Sequence, residues 1–421
     1  MFETSPFPTA QLADVVEILD NLRVPINGAE RLGRVGTVPY YGANGFQGWI
    51  DRPLFAEPLI LLAEDGGNFD DFATRPIAYR IDGPAWVNNH AHIIRARDGV
   101  CQSFIFWSLV NKDIRKYIAG GTRTKLTQGE LRRIEINFPD LLEQQGIAQV
   151  LDTLDTVIYE TKAIIAKLTA VKQGLLHDLL TRGIDANGEL RPPQTEAPDL
   201  YRKTDQGWIP LDWDVRPLSE YTSSEITYGI VQAGPHVPNG VPYIRTGDMS
   251  GDSLSREAML CTSRRIASSY ARSEVRTGDI VMAIRATVGK VLPVPSDLDG
   301  ANLTQGTAKV SPNAGTDGVF LLWAIRHSRS QQAIQLQIKG TTFAEITLGA
   351  LRQVPIAAPV EINEQREIGK RLAAIDMQLQ SEQQYLAKTH AKKSGLMNDL
   401  LTGRVRVTPL LAEAALQKGS A

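Results

Sequence analysis

The sequence predicts an α+β fold: two globular domains related by a pseudo-twofold and separated by an antiparallel coiled coil of two long helices. Three observations predict it. The chain repeats itself at an offset of about 220 residues, each copy ends in a near-constant tail with a 3-4 apolar spacing, and the variable leading parts mix short β-type runs with turn clusters. A period this long is a duplicated domain rather than a solenoid, whose repeats run about 20–45 residues.

The duplication rests on three ordered blocks. Gly121–Pro139 resembles Gly340–Pro359, with Thr127, Leu131, Arg132, Ile136 and Pro139 matching Thr347, Leu351, Arg352, Ile356 and Pro359 at offset 220. Glu143–Asp155 matches Glu364–Asp376 at offset 221. Gly174–Thr181 matches Gly395–Thr402, again at 221, with six of eight residues identical. The leading parts are more diverged: Val38–Gly45 parallels Val241–Asp248, Glu57–Gly66 parallels Gly278–Thr287, and Phe104 and Trp107 parallel Phe320 and Trp323.

The domain at 1–139 opens the chain, and the tail at 140–183 follows it. In that tail Ile147, Leu151, Leu154, Ile158, Ile165, Leu168, Leu175 and Leu179 recur at spacings of three and four, with gaps. This is the seam of a coiled coil. The tail at 360–405 repeats it with Ile368, Leu372, Ile375, Leu379, Leu386, Leu396 and Leu400, seven positions that coincide once 221 is subtracted. Pro139 and Pro359 precede the helices and Gly183 and Gly403 follow them, the usual start and stop signals. A seam needs a partner, and the nearest is the other copy, paired antiparallel. A helix over Glu143–Thr181, 39 residues and roughly 58 Å at 1.5 Å per residue, makes a stiff rod with a variable part at each end. The segment 184–206 is rich in Pro and polar residues and reads as a linker; 207–359 is the second domain and 406–421 a C-terminal tail.

Within the domains, Leu59–Ala63, Ile280–Ile284 and Leu348–Ile356 read as β-type runs, and Ser103–Lys116 and Val319–Ile338 as helical. Charge is balanced: 15 Lys/Arg against 16 Asp/Glu in Met1–Pro139, 14 against 14 in Asp205–Pro359, and a net −2 for the chain. A strong non-specific nucleic-acid binder would be basic. No run approaches the roughly 18 apolar residues of a membrane span. The acidic N-terminus lacks the basic region of a signal peptide. Two cysteines, Cys101 and Cys261, support neither a disulfide framework nor a structural zinc site, so a reducing cytoplasm is expected and burial is the expectation for both.

Catalytic motifs are missing: no P-loop, HExxH, GxSxG or strand-GxGxxG-helix occurs. An amino-methyltransferase would need an Asp/Asn-Pro-Pro-aromatic tetrapeptide, and Arg191-Pro192-Pro193-Gln194 has the wrong flanks. His90 and His92 lie two apart on a possible strand, but no third ligand stands near them in sequence, so a structural role is expected and no metal. The chain is expected to be non-catalytic. Its loops instead gather planar amides, aromatics and basic residues next to glycines. The first half has Tyr40, Tyr41, Asn44, Gln47, Asn68, Asn88, Asn89 and His90, with Arg123 and Lys125 further on. The second has Tyr243, Arg245, Arg285, Thr287, Lys290, Asn302, Thr304 and Gln305. Asn and Gln read adenine bidentately, Arg reads guanine, and glycine admits close approach to phosphate. These residues are the candidate DNA contacts.

Gly207–Tyr221, Ile226–Met249, Gly278–Val291, Asn302–Val310 and Gly174–Gly183, with Val38–Asp51 and Trp86–His92, resemble the specificity subunits of type I restriction–modification enzymes over nearly the whole chain. The resemblance implies that each domain is a target recognition domain reading half of a bipartite double-stranded DNA site. It implies that the helices are spacers that dock modification subunits, two of them, which carry S-adenosylmethionine and methylate adenine. Restriction subunits, motor and nuclease together, would join for cleavage. No cofactor is expected on this chain. The first domain departs from the pattern by lacking the Trp-containing lead-in seen at Trp208–Leu218. A coiled-coil scaffold with two protein-binding adaptors, and a specificity subunit of another restriction class, are the alternative readings.

Overall fold

The computed structural model describes residues 6–119, 124–340 and 344–409. The chain divides into two compact units, Met1–Ala163 with Gln384–Ala421, and Ile164–Gln383. The division falls inside both long helices, so the units are cut differently from the expected segments, and each takes one half of each helix.

The helices run Leu141–Thr181 and Ile362–Leu401, 41 and 40 residues. Asp140 starts the first by accepting the Glu143 backbone N–H at 3.0 Å. Both end at a glycine in the left-handed region, Gly183 at φ 65° and Gly403 at φ 74°, as a C-terminal cap requires. Every seam residue is sheltered. Ile147, Leu151, Ile158, Leu179, Ile368, Leu372, Leu379 and Leu400 are buried, and Leu154, Ile165, Leu175, Ile375, Leu386 and Leu396 are half-buried. The pairing is antiparallel inside each unit. In the first, Ile147 and Leu151 share a core with Leu396 and Leu400, and Asp155 pairs with Lys393. In the second, Leu179 shares a core with Ile368 and Leu372, and Lys172 pairs with Asp376 at 2.5 Å.

Each unit is built on a four-stranded antiparallel sheet backed by a three-stranded one. In the first unit Val16–Ile18, Ala91–Ala96, Leu59–Ala63 and Ala78–Ile81 lie side by side in that order; in the second, Thr227–Tyr228, Thr307–Val310, Ile280–Ala283 and Val291–Pro293 do. The small sheets repeat too: Val38–Gly42 lies between Gly45–Ile50 and, in parallel, Trp86–Val87, while Val241–Ile244 lies between Cys261–Thr262 and, in parallel, Asn302–Leu303. The long central strand is buried on both faces, so it is an unbroken apolar run. Ile60 and Leu62 face the core that holds Ile147 and Leu151, while Leu59 and Leu61 face the opposite cluster. Ile280 and Met282 against Val281 and Ala283 repeat the alternation.

Several short elements differ from the sequence expectation. Leu348–Ile356 is not one β run: Thr347 accepts the Ala350 N–H at 3.2 Å and starts the helix Leu348–Arg352, and a strand follows at Pro355–Pro359. Ser103–Lys116 is a helix only over Gln102–Leu109, with a 3-10 turn at Arg115–Tyr117. Val319–Ile338 breaks into Gly318–Arg326 and Ser328–Leu336 because His327 takes an extended backbone, φ −63° and ψ 146°. The lead-in missing from the first domain is present in disguise. The strand Thr9–Gln11 pairs with Glu135–Asn137 as Trp213–Pro217 pairs with Pro355–Pro359. Phe7 packs on Gly403 where Trp213 packs on Gly183. Residues 184–206, expected as a linker, are tied into the second unit: Arg191 is buried and bonds Glu364 and Asp212 at 2.6 Å each, and Tyr201–Thr204 forms a hairpin with Gly207–Pro210.

Candidate nucleic-acid interface

In the first unit the central strands deliver three loops to one end, around residues 42–47, 64–68 and 88–90. Asn44 donates to the Gly66 carbonyl at 2.8 Å. Asn88 accepts the His90 N–H at 2.9 Å and donates to Gln47 at 3.4 Å. His90 Nδ1 meets Asp65 at 2.7 Å. The second unit converges likewise: Thr304 N–H donates to Ile244 O at 3.1 Å, Gln305 N–H to Ile230 O at 3.0 Å, and Ile284 N–H to Gly306 O at 2.9 Å. A β-bridge joins Asp65 to Lys125 in one unit and Arg285 to Glu345 in the other, with the charges exchanged. Equivalent scaffolds thus carry different side chains at the same place.

The candidate residues separate by exposure. Asn44, Gln47, Asn89 and Thr287 face solvent, and Tyr41, Asn68, His90, Thr304 and Gln305 are half-exposed. Arg245 and Arg285 are half-exposed but engaged, Arg245 with Asp248 at 2.6 Å and Arg285 with Glu345 at 3.0 Å. Lys290 donates to Ser250 O at 3.0 Å. Lys125 pairs with Glu64 at 2.9 Å. Four others serve the fold: Tyr40, Tyr243 and Asn88 are buried, and Asn302 is 1% exposed with its amide fully spent inside. A side chain buried in this way cannot present an edge to a base, so these four support the loops from within. Arg123 lies outside the described residues.

The third partner that His92 lacked in sequence comes from remote segments. Asp20, Glu64 and His92 bring ligand atoms within 4.8 Å of one another. Yet His92 Nε2 donates to the Leu126 carbonyl at 2.8 Å and its Nδ1 faces Asp20 at 2.6 Å, which leaves neither nitrogen open. Arg23 pairs with Glu64 at 2.6 Å and Lys125 balances it. Burial pushes the Asp20 carboxyl up, but hydrogen bonding to His92 and the Ile93 N–H outweighs it and holds the group below the usual range. Glu64 behaves alike: burial raises it, and Lys125 and Arg23 bring it down. The cluster is an ion-pair network that fixes the base of the 88–90 loop. His90 precedes the strand Ala91–Ala96 rather than sharing a face with His92. Cys101 and Cys261 are half-buried, not fully buried as expected, because both sit at element edges.

Two features escaped the sequence reading. The hairpin of Val38–Gly42 and Gly45–Ile50 carries a bulge, with Gln47 as the extra residue between the pairs Tyr41–Phe46 and Tyr40–Gly48. The extra residue resets the alternation, so Phe46 and Trp49 share a face with centroids 5.1 Å apart, both more than half exposed. The other is a set of exposed arginines at 264, 265 and 272. The signal was present in the Ser263-Arg264-Arg265 start of a short helix, whose N-cap is Ser263.

Among the described residues no helix is long and apolar enough to cross a membrane. The family model for the type I restriction modification DNA specificity domain matches residues 5–170 and 210–389. A putative type I restriction enzyme specificity subunit of Haemophilus influenzae is 30% identical over 161 residues, 38% of this chain and 40% of that protein. A putative type I restriction enzyme specificity subunit of Methanocaldococcus jannaschii is 28% identical over 304 residues, 70% of this chain. The chain thus spans 40% and 65% of those two relatives' own lengths. In fold it is similar to the crystal structure of a type I restriction-modification system S subunit from M. genitalium, with TM-score 0.66 and 13% identity over 95% of this chain and 97% of the other.

Proposed function

The chain belongs to the type I restriction modification DNA specificity family, and on that premise we propose that it is the DNA-recognition subunit of a type I restriction–modification complex. Each unit reads one half of a bipartite duplex site. The observation that carries this reading is the loop cluster at equivalent ends of two duplicated units, alike in backbone and different in side chains. Two unlike readers on one scaffold suit a site with two unlike halves. Asn44, Gln47 and Asn89 would read the first half; Thr287, Gln305 and the two engaged arginines would read the second.

The helices would set the gap between half-sites and dock two modification subunits. At 41 residues the first is roughly 60 Å long, against a duplex turn of about 34 Å. Those partners would bind S-adenosylmethionine and transfer its methyl group to adenine, and restriction subunits would add cleavage; this chain would supply no catalytic group. Its net charge of −2 suits a subunit whose partners provide much of the phosphate neutralisation. The test is methylation-aware sequencing of DNA from cells expressing the chain with its modification subunits. A bipartite methylated motif that vanishes when the chain is deleted is expected. An unchanged methylome on deletion, or an undivided motif, would overturn the reading.

A further inference from the structure

We infer that Arg264, Arg265 and Arg272 form a phosphate-backbone clamp, private to the second unit, that grips duplex DNA beside the second half-site without reading its sequence. The inference rests on the proposed function and names the chemistry of one surface within it.

The residues 256–276 hold five arginines, and the structure sorts them. Arg256 donates to the Asp297 carbonyl at 3.0 Å, and Arg276 pairs with Glu274 at 2.6 Å and with Asp299 at 3.4 Å. Arg264, Arg265 and Arg272 are exposed, and among the described residues none has an ion-pair or side-chain hydrogen-bond partner. Three free guanidiniums around one six-residue helix are unusual here, where most other arginines are engaged. Guanidiniums match phosphate oxygens in charge and in donor geometry.

The patch is continuous with the reading loops. The side-chain amide of Asn302 donates to the Ala267 carbonyl at 3.2 Å and the Tyr270 carbonyl at 3.3 Å, and its oxygen accepts from Ser273 at 2.5 Å. The same oxygen accepts the Leu303 N–H at 2.9 Å, one residue before Thr304. The arginine-bearing turn is therefore bonded to the base of the Thr304–Gln305 loop. A second link runs on the surface. From Ile230, which bonds Leu303 and Gln305, the chain passes Ala233, whose carbonyl accepts from Thr262 at 2.6 Å, and reaches the strand that leads into Arg264. Backbone contacts position a protein on DNA and base contacts specify, so a basic patch bonded to a reading loop fits the first task. Among the described residues the first unit shows no such trio: its corresponding hairpin runs on through Asp51 and Arg52, and Asp51 is bound to Arg34 at 2.7 Å.

The test uses the full-length chain co-purified with its modification subunits. A random-sequence duplex and a duplex carrying the motif found by sequencing are titrated by fluorescence anisotropy over a range of salt. The triple variant Arg264→Gln/Arg265→Gln/Arg272→Gln should lose affinity for both duplexes by a similar factor, on the order of tenfold or more, with the slope of log affinity against log salt shallower by about 2–3. Replacing the same residues with lysine should restore most of the slope. Unchanged slope and affinity in the glutamine variant would overturn the inference, leaving the patch merely solvated. So would a loss confined to the specific duplex, which would mean base reading, or a loss of modification subunits during purification, which would mean a protein interface. If the unaltered complex binds neither duplex, the recognition function itself fails, and the inference with it.

Discussion

At Ala286 the backbone is held at φ 61°, and Gly66 at the equivalent place in the other unit is at φ 64°. An L-residue pays about 1–2 kcal/mol in that region, while glycine costs about 0.5–1 kcal/mol in unfolded-state entropy, so the two exchanges should have opposite signs. Gly66→Ala should lower stability and Ala286→Gly raise it, each by roughly 0.5–1 kcal/mol by thermal denaturation. Glu143 is buried, yet its carboxylate accepts the N–H groups of Val407 and Thr408 and the Thr408 hydroxyl; burial raises its pKa, but these bonds outweigh it and hold the group below its ordinary value. A depressed folded-state pKa contributes stability above the usual glutamate range and loses it as pH falls through the folded value. Glu143→Gln should therefore weaken the first unit at neutral pH and flatten that acid limb in urea titrations. His327 works at higher pH: burial first, then Arg329 and His177, push it down to about 4 from 6.5. The unfolded chain takes up the proton first, so stability should decline as pH falls from 6.5 towards 4, and His327→Gln should remove that slope. Such roles were not legible in the sequence. Asn302 and Gln305 are both polar loop residues by composition, and only the fold shows that one is spent on Ala267 and Tyr270 while the other is half-exposed.

The long helices were legible as elements because their signal is dense: an apolar residue every three or four positions, proline before and glycine after. Ile147→Ala, at a position with no exposed surface, should cost about 2–5 kcal/mol, and calorimetry should show the loss. The pairing between helices carries a signature that the seam does not. Lys172 bonds Asp376 and stacks over Trp323 at 5.1 Å, and Lys393 bonds Asp155 and stacks over Trp107 at 4.4 Å. Asp155 and Asp376 end a repeated block, Trp107 and Trp323 are a matched pair, and Lys172 and Lys393 stand two residues before the last block at the same offset of 221, so the constellation was available to self-comparison, although not as a contact. Asp155→Lys should destabilise the first unit, and Lys393→Asp in the same chain should restore part of the loss; thermal shifts on the two single variants and the double variant decide this. Short elements were less legible. A three-residue strand such as Thr9–Gln11 has no periodicity to detect, and only its pairing with Glu135–Asn137 makes it a strand. The helix Leu348–Arg352 was hidden because an apolar run of that length suits either state until its Thr347 cap is seen.

For the molecule as a whole, the duplication was the strongest signal, and it carried fold class, pairing of the helices and the proposal of two readers together. What it could not carry was the assignment of individual contacts, because the loops are where the copies diverge. If the helices set the gap, inserting one helical turn into both should lengthen the spacer of the methylated motif and leave both half-sites unchanged; mapping an unaltered spacer would sink the ruler. The first unit also has an order of assembly written into it. Its core takes Leu396, Leu400 and Val407 from the second long helix and the residues after it, and Glu143 is satisfied there by Arg406, Val407 and Thr408. The second unit is one uninterrupted stretch, Ile164–Gln383. During synthesis, then, the domain made first must wait with part of its apolar surface uncovered, while the domain made second can close as soon as it emerges. Residues made after the second unit finish the core of the first, so a ribosome that stalls between the two should release a chain with one closed unit and one open one.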